Sequence, residues 1–154
     1  MAAKGSSFLY PFLQDIPIFS GLRPEAAARI FRSGKTQIVR DGRTIVTEGK
    51  GGGDLHLIVS GQVEVWKKGP VGKPKKLAVL GCGDLFGEMS TFDGSTYSAT
   101  IKASGDCAVH VIRGQVFRDY LAKNPKDAYQ VLTALVRILS SRLRSMNVVV
   151  SKKG

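Results

Sequence analysis

The chain has 154 residues, 43% of them hydrophobic, and a formal net charge of +11. That length suits one ordinary domain, and a mean hydropathy of -0.01 fits a globular core rather than disorder. No apolar run approaches the roughly 18 residues of a membrane span, and Pro11, Gln14, Asp15 and Pro17 interrupt the stretch Met1–Phe19 where a secretory signal needs continuous apolar sequence.

The pattern opens with short helices and turns over about residues 1–35. Pro24 and Glu25 precede Ala26–Ile30, a run of good helix formers behind a proline at the first turn. From Thr36 to Ile112 short strands alternate with turns. Ile38-Val39 and Thr44–Val46 flank the turn Arg40-Asp41-Gly42, and Leu55–Val59 and Gln62–Trp66 are separated by Ser60-Gly61. Further strands are expected at Lys76–Leu80, Ala99–Ala103 and Ala108–Ile112. Breaks about every ten residues, many at glycine, point to a jelly roll or barrel and away from a parallel βαβ sheet.

Beyond Ile112 the pattern returns to helix. Gln115–Ala122 is a short amphipathic piece ending before Asn124-Pro125, and a long helix is expected over Lys126–Asn147. Its apolar residues form two stripes, one of Leu132, Val136, Leu139, Leu143 and Met146, the other of Ala128, Val131, Leu135 and Ile138. One stripe covers the helix's own domain. The second calls for another partner, most simply the same helix of a second subunit.

The high positive charge favours acidic partners such as phosphates, nucleic acid or an anionic surface. Its densest cluster, Lys67, Lys68, Lys73, Lys75 and Lys76, surrounds Gly69-Pro70 and Gly72 and reads as a solvated hairpin tip. Cys82 and Cys107 lack metal-ligand spacing and are expected to be reduced thiols in a cytoplasmic protein. His56 and His110 lie in strand-like runs without acidic or Cys partners at ligand spacing, and are read as structural. No catalytic residue, metal site or cofactor is expected, because no Ser/His/Asp order, paired carboxylate, phosphate loop or zinc spacing occurs.

Several blocks, in order, resemble the cyclic-nucleotide-binding domain family, which includes catabolite-activator-like regulators and kinase regulatory subunits. They are Ile16–Leu22, Glu48-Gly49 through Asp54, Leu57–Val65, Leu80–Glu88 and Ser98–Thr100. The resemblance covers about Ile16 to Asn147. It implies a mainly β fold with flanking helices, a double-stranded jelly roll over 36–112 succeeded by helices over 115–147. Chain 1–154 is then a single non-enzymatic ligand-sensing domain.

The same resemblance implies a phosphate-binding cassette entered at Phe86 and left at Thr100. Backbone N–H groups of Gly87–Met89 would face a cyclic phosphate. Glu88 would accept from a ribose 2′-hydroxyl, and Ser98 and the Ala99 N–H would donate to phosphate oxygens. Tyr97 departs from the pattern, since tight binders of the family carry Arg there. An Arg–phosphate pair contributes roughly 1.5–3 kcal/mol, so its loss weakens binding about ten- to a hundredfold unless compensated. Lys102 is one source of compensating charge; another outcome is that Tyr97 packs across the pocket. The base would lie toward the long helix, which would form the homodimer seam. Alternatives stay open: a degenerate roll acting as a dimeric protein-interaction scaffold, or a receptor for another anionic messenger such as a cyclic dinucleotide. Regulators of this type add a helix-turn-helix after the long helix, and only Val148–Gly154 remain here, so direct DNA binding is not expected.

Overall fold

The computed structural model describes residues 11–153. Residues 1–10 and 154, and the side chains of Pro11 and of residues 147–153, lie outside the described part, so the Asn147 end of the expected dimer helix is described by its backbone alone. The chain divides into two compact units, Ile30–Tyr120 and the segments on either side of it.

In the flanking unit, two short 3-10 turns at Pro11–Asp15 and Pro17–Phe19 bury Leu13, Ile16, Ile18 and Phe19. Helix α1, Pro24–Arg32, starts at its proline as expected and extends two residues beyond Ile30. The long helix α4 spans Pro125–Lys153. It packs on the Pro17–Phe19 turn and buries Val131 and Leu135. The opposite stripe, Leu132, Val136, Leu143 and Met146, stands exposed together with Tyr129. The stripes are thus a partly buried face and a mostly open one, with Ala128 and Ile138 of the first and Leu139 of the second half-buried.

The β unit is an antiparallel jelly-roll-like sheet of six strands, β1 (Lys35–Val39), β2 (Thr44–Val46), β3 (Leu55–Lys68), β4 (Pro74–Leu80), β5 (Leu85–Phe86) and β6 (Thr100–Ile112), in the order β1-β6-β3-β4, with β2 also on β6 and β5 also on β3. Strands β1 (Lys35–Val39) and β2 (Thr44–Val46) flank the expected turn, yet they do not pair with each other; both pair with β6. Two pairs of expected strands are each a single long strand: β3 is Leu55–Lys68 and β6 is Thr100–Ile112. Ser60-Gly61 therefore kinks a strand instead of reversing it. The β3–β6 register shifts on either side of Ser60, the signature of a bulge. A bulge and a turn use the same residues, which is why the sequence does not separate them.

Strand β4 is Pro74–Leu80. It forms a hairpin with β3 whose tip is closed by the Gly69 N–H donating to the Lys73 carbonyl at 3.1 Å, so the lysine cluster does sit on a hairpin. Strand β5 (Leu85–Phe86) and helix α2 (Glu88–Asp93) are short elements that the hydrophobic pattern does not distinguish. Helix α3, Gly114–Lys123, corresponds to the expected amphipathic piece.

Two-residue alternation along the long strands aims Val63 and Val65 of β3, and Ile101 and Ala103 of β6, at a shared interior. There they join Val46, Ile58, Phe86, Cys107 and Val109. The other half of the β3–β6 pairing, Leu55–Ile58 against Val109–Ile112, is buried on nearly every side chain. His110 is one of these. It lies parallel to the Phe31 ring at 3.7 Å, its Nε2 bonds the Phe31 carbonyl at 2.6 Å, and its Nδ1 shares a 2.8 Å hydrogen bond with Thr36. Its role is structural, as expected. No helix among the described residues is long and apolar enough to cross a membrane.

Candidate functional site

Strand β5 ends at Phe86, whose ring joins the interior and lies 4.7 Å from His56, nearly parallel to it. The chain then reverses at Gly87, which has φ +83° and opens α2. A Cβ there would stand 2.5 Å from the Asp54 carbonyl and 3.2 Å from His56 Nδ1, so only glycine fits. The Gly87 carbonyl accepts from the Ser90 hydroxyl (2.9 Å), the Thr91 hydroxyl (2.9 Å) and the Thr91 N–H (3.1 Å). That carbonyl is anchored, and no side chain caps the first turn of α2. Glu88, the first residue of α2, is buried at 6% exposure rather than lying on the surface, while Met89 is exposed.

The exit of the segment returns beside its entrance. Tyr97 Cε1 is 3.4 Å from the Cβ position of Gly87, and its ring meets His56 edge-on at 6.0 Å. The ring packs against the interior cluster. Burial, together with the Asp54 carboxylate, pushes the Tyr97 hydroxyl above the ordinary tyrosine value, against a backbone hydrogen bond at Asp54. Tyr97 is therefore a neutral, half-buried packing residue at neutral pH. Ser98 is exposed, Ala99 and Thr100 are half-buried, and the Thr100 hydroxyl accepts from the Glu48 N–H at 3.0 Å.

A third wall, Glu48–Asp54, carries residues that sequence reasoning missed. The Gly49 N–H donates to the Tyr97 carbonyl at 2.9 Å, and the Gly53 N–H donates to the Ser90 hydroxyl at 3.0 Å. Gly52 passes so close that a Cβ would lie 2.4 Å from the Ser95 carbonyl. The run Gly51-Gly52-Gly53 was the available signal: three adjacent glycines mark a close backbone approach. Glu48 and Lys67 had no such signal, being far apart in sequence. Here the Lys67 ammonium pairs with Glu48 at 3.2 Å and donates to the Ser98 carbonyl at 2.7 Å. Lys102 is placed elsewhere. Its ammonium lies 5.6 Å above the Trp66 ring.

A family model, the cyclic nucleotide-binding domain, matches residues 30–124, from the last turn of α1 through α3. The chain belongs to the cyclic nucleotide-binding domain family. Relatives of this cyclic nucleotide-binding domain include a CRP-like cAMP-activated global transcriptional regulator of Mycobacterium tuberculosis, 29% identical over 130 residues, covering 84% of this chain and 56% of the relative. The cyclic AMP receptor protein of Thermus thermophilus is 30% identical over 127 residues, covering 82% and 59%. The chain thus spans little more than half the length of these regulators. Among solved structures, a cyclic nucleotide-binding domain from Methylobacillus flagellatus superposes with a TM-score of 0.87 at 26% identity, covering 97% of this chain and 86% of that one. The Thermus thermophilus catabolite activator protein gives 0.76 at 29% identity, covering 88% and 62%. Relatives are named as regulators and regulatory subunits.

Within this domain, His56 is the buried titratable group beneath the cassette. It is 5% exposed and its Nδ1 has no hydrogen-bond partner. Burial, above all, holds its pKa below the ordinary histidine value, opposed by the nearby Asp54. His110 is lowered by burial in the same way. With folded values below that of the unfolded chain, the unfolded state takes up more protons as pH falls through about 6.5. Their stabilising contribution is intact above that pH and is lost on acidification. Urea unfolding midpoints should therefore fall from pH 7.5 to 5.5, where carboxylates are still ionised. His56→Phe, which keeps the ring stack and removes the titration, should show a smaller fall. A midpoint constant across that range contradicts the assignment of buried neutral histidines.

Proposed function

We propose that the domain binds an adenosine 3′,5′-cyclic monophosphate-type ligand in the cassette Phe86–Thr100 and acts as a sensor rather than a catalyst. The observation that carries this reading is the left-handed turn at Gly87, where only glycine fits, continued by the buried Glu88 and flanked by the returning Tyr97. An array of backbone N–H groups binds an anion without needing a full positive charge. In this reading the amides of Gly87–Met89 face the cyclic phosphate, with Ser98 and the Ala99 N–H donating to its oxygens. Glu88 accepts from the ribose 2′-hydroxyl, and Phe86 and Thr100 frame the segment. The names of the relatives supply the ligand type: cAMP-activated in one case, cyclic AMP receptor in the other. Free Cys82 and Cys107 accord with a reducing, cytoplasmic setting.

A second reading is supported by Tyr97. Its ring is committed to Gly87, His56 and the interior, so a roll that has given up cAMP and serves as an interaction scaffold would have this packing. The two readings separate in one calorimetric titration with cAMP. The sensor reading expects micromolar affinity or weaker, tightened about tenfold or more by Tyr97→Arg. Glu88→Ala should weaken binding about tenfold and erase the preference for cAMP over its 2′-deoxy analogue. Nanomolar affinity of the natural chain contradicts the account of Tyr97. No heat with cAMP, cGMP or cyclic di-GMP supports the scaffold.

The sensor reading includes a homodimer seam on α4. The exposed stripe Leu132, Val136, Leu143 and Met146 recurs every three or four residues or a multiple of them, with Val136 at 62% and Leu143 at 59% exposure. A second copy of the helix would cover it, as the sequence-based stripe over Lys126–Asn147 anticipates. Light scattering at micromolar concentration should give a dimer mass, and Val136→Glu should give a monomer, because a charge in that seam would be unpaired and desolvated. A monomer mass for the unaltered chain contradicts the seam.

A further inference from the structure

We infer that Lys67 is the cation that meets the negative charge of the cassette's ligand, aimed by Glu48. The inference rests on the cassette reading above and assigns it a residue outside the Phe86–Thr100 segment. Val63 and Val65 face the interior of the roll, and Lys67 continues the same side of β3 two residues on. Its ammonium reaches the cassette exit, 2.7 Å from the Ser98 carbonyl. Glu48 holds it there at 3.2 Å, and Glu48 is itself fixed at three points. Its Oε2 accepts the Lys68 N–H at 2.9 Å, its own N–H donates to Thr100 at 3.0 Å, and its neighbour Gly49 donates to Tyr97 at 2.9 Å.

An ammonium has three N–H donors. Ser98 and Glu48 occupy two of them, leaving one donor and the charge for a phosphate oxygen bound at Ser98–Ala99. Two other lysines are placed differently: Lys102 lies over Trp66, and Lys76 pairs with Glu64 at 3.5 Å. A lysine is a point charge and cannot make the forked contact of an arginine. That difference fits a receptor of modest affinity whose specificity comes from the backbone turn.

A clasp with no ligand role would make a different prediction. The Lys67–Glu48 pair is half-exposed on the lysine side, where ion pairs contribute little stability. Removing it should therefore leave the fold intact while weakening ligand binding. The test is calorimetry of the full chain with cAMP and with uncharged adenosine, alongside thermal unfolding. Lys67→Met should weaken cAMP binding about tenfold or more. It should leave any adenosine binding and the unfolding midpoint unchanged, and flatten the dependence of cAMP affinity on salt. Lys67→Arg should restore affinity to within about threefold, and Lys75→Met on the hairpin should have no effect. If the natural chain binds cAMP and Lys67→Met binds it equally well, the role of Lys67 is wrong while the cassette reading stands. If the natural chain binds no cyclic nucleotide at all, both fall.

Discussion

The antiparallel pairing of β3 with β6, from Leu55 opposite Ile112 to Trp66 opposite Thr100, is the constraint on which the remaining structure depends. Every other strand is hydrogen-bonded to one of these two. Because the register shifts around Ser60, one half of the pair is covered on both faces and the other half presents one face to the interior. The cassette is strung between the partners of that pair: it leaves β5, which pairs with β3, and enters β6 directly. A slip of one residue in β3 would move Val63 and Val65 out of the interior and take Lys67 away from Ser98. The pairing thus fixes both the fold and the place where charge can be offered to a ligand.

Electrostatics around the cassette are more selective than a net charge of +11 implies. Much of that charge is solvated or already engaged, as with Arg40 and Asp106 at 2.9 Å or Lys76 and Glu64. Beside Gly87, the His56 ring is kept uncharged by burial and the Tyr97 hydroxyl stays protonated. A neutral, partly apolar surrounding strengthens each remaining polar contact. In the proposed reading, an anion would then be held by the turn and by Lys67. The relatives share this β-roll.

Much of the fold was legible because period and punctuation agree with it. Pro24 starts α1, glycine breaks mark the strand ends, and the two stripes of the long helix correspond to its partly buried and mostly open faces. What misled was chemistry shared by two structures: Ser60-Gly61 and Ser104-Gly105 are turn-like dipeptides, yet each lies inside one long strand, because tertiary pairing overrides local turn preference. In the cassette, Gly87 and Glu88 came from the family resemblance of Leu80–Glu88, whereas the packing of Tyr97 on His56 joins residues about 40 positions apart. The Glu48–Lys67–Ser98 cluster joins three distant segments, and no periodicity announces it.

Amide chemical shifts of the isotopically labelled chain, tracked as cAMP is added, test the central claim most directly. A ligand seated on the turn should move the N–H signals of Gly87, Glu88, Met89, Ser98 and Ala99 first and furthest, because those groups are proposed to donate to it. The hairpin tip around Lys73–Lys76 should stay unmoved. Shifts confined to that hairpin, with Gly87–Met89 silent at saturating cAMP, would place the ligand outside the cassette and contradict the account.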